Sequence, residues 1–173
     1  MRSRSGKLQN SIIIANKEYI EECYKMLMSS DLGKTYFSNK DPYKILLRAL
    51  ENEEIFIALS NDKRCLGFIW VELNGTFGKY PYLHMIIVGE KFRGQGIGKI
   101  LIAHFENVIT SGYDKVFLMV GDFNDRAKRL YHKLGYKVIG ELPSFYVNGV
   151  EESLMCKMKE KPAVNGDCRS EGG

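Results

Sequence analysis

No Cys-x-x-Cys pair occurs in this chain: Cys23, Cys65, Cys156 and Cys168 lie far apart, and His84, His104 and His132 do not cluster with them. That scarcity excludes the usual zinc spacings and a disulfide framework, and it points to reduced thiols in a cytoplasm. A long apolar run is also missing. Behind Arg2, Arg4 and Lys7 only residues 12–15 are continuously apolar, far short of a signal sequence or a membrane span. One-sided charge is missing too, because 25 basic residues stand against 21 acidic ones for a formal +4. With no Lys/Arg run interleaved with aromatics, neither nucleic acid nor a membrane is expected as partner, while a polyanionic small molecule is compatible with the balance. There are no internal repeats.

What is present is enough apolar residue for one domain: 173 residues, 45 % of them hydrophobic, can bury a full core without staples. We expect a flexible stretch 1–10, a single domain over 11–160 and a mobile tail over 161–173. Hydrophobic periodicity predicts strands at 11–15, 54–60, 65–73, 80–88, 115–120, 136–140 and 152–159, and helices at 17–30, from 41 to about 52, from the loop near 97 to Gly112, and at 124–134. Asp31-Leu32-Gly33 reads as the end of the first helix, and Asn74-Gly75 as a turn. On the strand 80–88, alternation places Tyr82, His84, Ile86 and Val88 on one face and Leu83, Met85 and Ile87 on the other.

That strand runs into Gly89-Glu90-Lys91-Phe92-Arg93-Gly94-Gln95-Gly96-Ile97-Gly98-Lys99, a glycine-rich basic turn opening an amphipathic helix. Glycines at alternate positions let backbone N–H groups turn toward an anion, and the free N–H groups of a helix start add partial positive charge. A triphosphate P-loop needs glycine five residues before Gly98-Lys99 and Ser or Thr after it, but Arg93 and Ile100 stand there. A dinucleotide fingerprint from Gly94 meets Lys99 where its third glycine belongs, and one from Gly96 meets Leu101.

What fits is Arg-x-x-Gly-x-Gly, filled by Arg93, Gly96 and Gly98, and it resembles the pyrophosphate loop of the GNAT family of acetyl-CoA-dependent N-acetyltransferases. A second stretch, Asn124 and Ala127, then Leu130-Tyr131, then Leu134-Gly135-Tyr136, resembles that family's second signature. On its own the helix face of Asn124, Ala127 and Tyr131 offers an amide, a small residue and a phenol in line, which a slender ligand arm can approach; equally, Asn124 can be an N-cap and Tyr131 a core aromatic. The resemblance implies an α/β (α+β) fold with a mixed central sheet of about seven strands flanked by about four helices. It also implies a cofactor site over Ile86, Ile87, Val88, Arg93, Gly94, Gln95, Gly96, Ile97, Gly98, Lys99, Asn124, Ala127 and Tyr131, with Asn124 on the pantetheine and Tyr131 near the sulfur.

The implied reaction is direct attack of a neutral amine on the thioester of acetyl-CoA, with no covalent enzyme intermediate and no metal. An alkylammonium with a pKa of roughly 10.4 loses its proton at pH 7 at a cost of about 4 to 5 kcal/mol, so a base is needed. His84 is the candidate, on a strand that resembles one in the serotonin N-acetyltransferases of this family, where a histidine helps deliver the proton to bulk water; the companion histidine two residues earlier is Tyr82 here. Glu72 or Glu90 are alternatives. Tyr131 is the candidate acid for the leaving thiolate, a phenol of pKa near 10 acting on a thiol of about 8.5, so positioning has to contribute as much as acidity. Phe145 and Tyr146 are placed to face an acceptor. Arg126, Lys128 and Arg129 read as a solvated basic face, and Trp70 as a plain sheet residue. The expected acceptor is a small-molecule amine, a peptide N-terminus or lysine being the alternative and a non-catalytic CoA-binding module a third reading. A monomer and a homodimer are both compatible with the sequence.

Overall fold

The predicted strands all enter one sheet in the computed structural model, which describes residues 11–159. In chain order the elements are β1 (Ser11–Ile14), α1 (Ile20–Ser29), α2 (Asp31–Tyr36), α3 (Tyr43–Glu51), β2 (Ile55–Leu59), β3 (Cys65–Thr76), β4 (Tyr80–Val88), α4 (Ile97–His104), β5 (Lys115–Gly121), α5 (Asp125–Lys133), β6 (Lys137–Pro143) and β7 (Glu151–Met158). The sheet order is β1-β2-β3-β4-β5-β7-β6. Every pairing is antiparallel except β4 with β5, whose parallel register requires the crossover that α4 supplies. The expectations for 1–10 and 161–173 lie outside the described residues.

Two cores cover the two faces. Against one face pack Ile97 and Leu101 of α4, Phe105, and Tyr131 of α5, together with Leu83, Leu118 and Met155. Against the other pack Cys23 and Leu27 of α1 and Leu46 and Ala49 of α3, with Phe68, Met85 and Ile87. Both are the apolar stripes that the periodicity of these helices presents.

Several local expectations are corrected. Asp31-Leu32-Gly33 begins a helix instead of ending one. Ser30 restarts the chain as the N-cap of α2, its Oγ accepting from the Gly33 N–H at 3.0 Å while its own N–H closes α1 on the Leu27 carbonyl at 3.0 Å. Gly33 is there for close approach: a Cβ would stand 2.0 Å from the Leu27 carbonyl oxygen. Five described helices α1–α5 therefore flank the sheet where about four were expected. Strand β3 runs through Asn74-Gly75 to Thr76, and the chain reverses at Phe77-Gly78, where both residues have positive φ (55° and 66°). After His104 the helix widens into one π-turn, Phe105–Ile109, whose carbonyls at 105 and 106 accept from the Thr110 hydroxyl.

The alternation assumed for β4 is broken at its centre. Trp70 pairs with Met85 and Val71 with Leu83, so His84 is an extra residue bulged out of the ladder. As a result Leu83 joins the same core as Ile86 and Val88, on the α4 side, and only Met85 and Ile87 pack against α1 and α3.

Candidate functional site

Strands β4 and β5 pair only at Tyr82 with Phe117 and Leu83 with Leu118. Immediately beyond comes the bulge at His84, and the two strands part, leaving β4 from His84 to Val88 and β5 from Met119 to Gly121 facing one another without a ladder. A cavity of about 340 Å³ lies in this split, within the range of small-molecule sites. The chain leaving β4 enters the glycine loop and α4, and the chain leaving β5 enters Asn124 and α5, so both helix starts stand at the edge where the strands separate. Such switch points between parallel strands are where open α/β sheets take ligands.

In the loop, Gly94 and Gly96 have φ of +78° and +85°, and nothing lies within 4 Å of where their Cβ atoms would be. Their requirement is conformational, with Gly96 serving as N-cap of α4. A Cβ on Gly98 would make only ordinary contacts, 3.7 Å to Val88 and 3.8 Å to Ile86. The exposed Arg93 donates from Nε to the Val88 carbonyl at 3.4 Å, which ties its stem to the strand end. Gln95 folds back onto the Lys91 carbonyl at 3.1 Å, and Lys99 and Glu90 are exposed. This basic, N–H-rich turn has the donor set a pyrophosphate needs. Ile87 and Ile97 contribute differently from what a ligand-facing side chain would: both are buried in the cores, so only their backbone groups are available to a cofactor.

The cavity brings together His84, Ile86, Asn124, Ala127, Tyr131 and Tyr146, whereas Val88 and the residues 93–99 lie outside its wall. Asn124 caps α5, its Oδ1 accepting from the Ala127 N–H at 3.2 Å, and the same residue lines the cavity. Tyr131 is 5 % exposed, packs edge-on to Tyr136 at 5.6 Å and makes no side-chain hydrogen bond among the described residues. Burial pushes its phenol upward from 10, so it carries its proton at neutral pH. Phe145 stands outside the cavity, half exposed and edge-on to Tyr146 at 4.7 Å.

His84 is joined to one of its alternatives. Its Nε2 lies 2.9 Å from Glu72 Oε2, its ring stacks on Trp70 with centroids 4.1 Å apart, and Tyr82 meets it edge-on at 4.7 Å. Trp70, far from being a plain sheet residue, lines the cavity and orients this imidazole, with its own Nε1 held by Glu54 at 2.9 Å. Glu72 and Trp70 also line a second, polar cavity of about 470 Å³ beside α3, so the His84–Glu72 pair passes through the wall between the two.

A further group was not anticipated from sequence. Glu152, 1 % exposed at the head of β7, accepts a hydrogen bond from the Tyr36 hydroxyl at 2.5 Å. Tyr36 packs against Phe123 (5.6 Å) and Tyr146 (5.9 Å), and the Tyr82 and Tyr146 hydroxyls are 3.4 Å apart. Burial raises Glu152 from the usual carboxylate range and also raises Tyr36 and Tyr82. The only signal in the sequence was a carboxylate at the start of an apolar strand, which does not reveal depth. Lys128, by contrast, is spent within the fold on Ser153 (2.5 Å) and Glu141 (3.8 Å), so it is withdrawn from the basic face. Among the described residues no cluster of three or more His, Cys, Asp or Glu could hold a metal, and no helix is long and apolar enough to cross a membrane.

The profile of the Acetyltransferase (GNAT) family matches residues 20–136. The SPbeta prophage-derived N-acetyltransferase YokL of Bacillus subtilis is 36 % identical over 100 residues, a stretch that spans 54 % of this chain and 54 % of that protein. An acetyltransferase of Pectobacterium atrosepticum is 31 % identical over 101 residues, 57 % of this chain and 70 % of its own length. Among solved structures, Ard1 from Thermoplasma volcanium superposes with a TM-score of 0.73 over 87 % of this chain and 98 % of that one, at 22 % identity, a likeness of fold.

Proposed function

This chain belongs to the GNAT acetyltransferase family, and from that premise we propose that it transfers an acetyl group from acetyl-CoA to a small primary amine by direct attack in a ternary complex. The observation that carries the reading is the split between β4 and β5, because one cavity there holds His84 on one strand and Tyr131 on the helix that follows the other. Acetyl-CoA, when bound, supplies the thioester carbonyl that the amine attacks. The turn 93–99 would hold its pyrophosphate through Arg93 and backbone N–H groups, and the unpaired edge of β4 from Ile86 to Val88, with the Asn124 amide and the clearance at Ala127, would take the pantetheine arm.

His84 takes the proton that the ammonium must lose, and Glu72 holds the imidazole in position from the far side. The proton leaves by the second cavity, where Glu72 is about half exposed. Tyr131 keeps its phenolic proton until the leaving sulfur needs it, and with no side-chain hydrogen bond among the described residues its hydroxyl can turn toward that atom. Backbone N–H groups along the parted strands stabilise the developing oxyanion.

A small acceptor is favoured over a peptide by the roof. Tyr36 of α2 meets Tyr146 of the β6–β7 connection, and Tyr146 reaches the Tyr82 hydroxyl, so aromatic contacts cross the space that an extended peptide would need open. The free thiols of Cys23, Cys65 and Cys156 suit a reducing cytoplasm. Thiol release from acetyl-CoA against a panel of small amines, polyamines, amino acids and peptides tests the reading. Turnover with small amines is expected; turnover with peptides alone overturns the choice of acceptor, and CoA binding without any turnover favours a non-catalytic module.

A further inference from the structure

Across the split from His84 lies a carboxylate with an unmet need for a cation. Glu152 is 1 % exposed and lines the cavity, and among the described residues its carboxylate has a single hydrogen-bond partner, the neutral hydroxyl of Tyr36. No lysine or arginine comes within ion-pair distance of it among the described residues, and Asp122 adds a second negative charge nearby. A buried carboxylate without a cation is costly, and burial shows in its raised protonation range. Its partner Tyr36 packs against the rings of Tyr146 and Phe123, and all three rings line the same cavity. A carboxylate among aromatic rings has the chemistry that holds an ammonium group, by charge and by cation–π attraction.

We propose that Glu152 is the specificity-determining residue for the acceptor, binding a second ammonium group at its far end, so that the substrates are short aliphatic diamines or polyamines. The assignment rests on the acetyl-transfer reading above for the near end only. There His84 receives the reacting nitrogen. Its strand β4 and Glu152's strand β7 are separated by β5 alone, and Glu152, paired with Gly121, lies two residues farther along β5 than the level of His84, where β4 and β5 have parted, so the backbones stand more than two strand spacings, about 10 Å, apart. Both residues line the same cavity, so a diamine lying along it can meet both. The apolar wall between them, Met119, Val120 and Leu83, suits the alkyl chain, and a monoamine of equal length leaves Glu152 without its cation.

The test compares 1,4-diaminobutane with n-butylamine as acceptors for the wild type, Glu152→Gln and Tyr146→Leu, with thermal melts to establish folding. For the wild type, kcat/KM for the diamine is expected to exceed that for butylamine at least 30-fold. Glu152→Gln should raise KM for the diamine 10- to 100-fold with kcat kept within threefold, and change butylamine less than threefold. Tyr146 sits in an exposed loop, so Tyr146→Leu is a second variant that leaves the buried core untouched; it should raise the diamine KM at least fivefold more than the butylamine KM. Equal losses for both amines, or a fall in kcat with a displaced pH profile, overturn the assignment, the second by making Glu152 the base. Calorimetric titration of 1,4-diaminobutane into the wild type and Glu152→Gln reads the same contact without turnover. If no amine releases thiol, the acetyl-transfer reading fails alone: diamine binding lost in Glu152→Gln still supports this site, and binding that is absent or unchanged overturns it.

Discussion

Removing the imidazole of His84 should produce a defect that higher pH repairs. A primary amine with a pKa of roughly 10.4 is protonated at pH 7 by more than three orders of magnitude, a cost of about 4 to 5 kcal/mol, and a positioned base recovers part of it, typically 10²- to 10⁴-fold in rate. His84 is well held for that work, by Glu72 at 2.9 Å and by stacking on Trp70 at 4.1 Å. For His84→Ala we therefore expect about a 10²-fold loss of kcat at pH 7. As pH rises toward 10 the free amine grows about tenfold per unit and no longer needs the base, so the deficit should shrink below tenfold. The losses in packing are modest, since the stacked pair contributes about 0.5 to 1.5 kcal/mol and is only partly buried. The assay is thiol release at saturating acetyl-CoA from pH 6.5 to 10, for the parent and the variant. Parallel profiles, with the same deficit at every pH, would refute proton removal by His84 and leave it a purely structural strand residue.

Tyr131→Phe should lower kcat about 10- to 100-fold while the dissociation constant for CoA changes less than twofold, and with no hydrogen bond lost among the described residues the melting temperature should stay within about 1 °C; unchanged turnover would remove it as the acid. At Gly96, φ of +85° makes alanine cost about 1 to 2 kcal/mol, a melting drop of roughly 2 to 4 °C per kcal/mol. Gly98→Ala has only ordinary contacts to meet, so it should melt like the parent yet raise KM for acetyl-CoA if the cofactor approaches that backbone; an unchanged KM would place the cofactor elsewhere. Lys157 pairs with the nearly buried Glu106 at 2.7 Å, and Lys157→Met should cost about 2 kcal/mol in urea unfolding, less than the roughly 3 to 5 kcal/mol of breaking a fully buried pair because Lys157 is partly exposed.

The elements most visible in the sequence were those whose signals are local. Alternation and helix periodicity depend on neighbours a few residues away, so seven strands and the helix from Asp125 to Lys133 were placed within a few residues of their positions. Gly33 misled because a glycine that ends a helix and one that lets two helices touch look alike until the Leu27 carbonyl is seen 2.0 Å from its missing Cβ. The glycine loop and the Asn124-to-Tyr131 face were legible as motifs, through their spacing together with the family resemblance it carries. Glu152 and Tyr36 were not, because 116 residues separate two side chains that meet only through the sheet order β5-β7-β6 and the docking of α2. Nor was the bulge: strict alternation is the default of a strand, and the extra residue shows only once Trp70 and Val71 are seen to pair with Met85 and Leu83.

That bulge permits a sharper test of how the sheet makes the site. With His84 left out, the sequence Leu83-Met85-Ile86-Ile87 alternates regularly between the two cores, and Leu83 and Met85 pair with the adjacent residues Val71 and Trp70. Deleting His84 should therefore straighten β4 without turning any apolar side chain to the wrong face, unlike an ordinary one-residue deletion in a central strand, which flips the whole pattern. The deletion variant is expected to remain folded, with a melting temperature within several degrees of the parent, and to lose acetyl transfer together with much of its affinity for CoA, because β4 and β5 would continue pairing across the split. His84→Ala, which keeps the bulge, should retain that affinity. If the deletion variant binds CoA as tightly as His84→Ala does, the parting of the strands does not depend on the bulge, and the extra residue serves only to aim its own side chain.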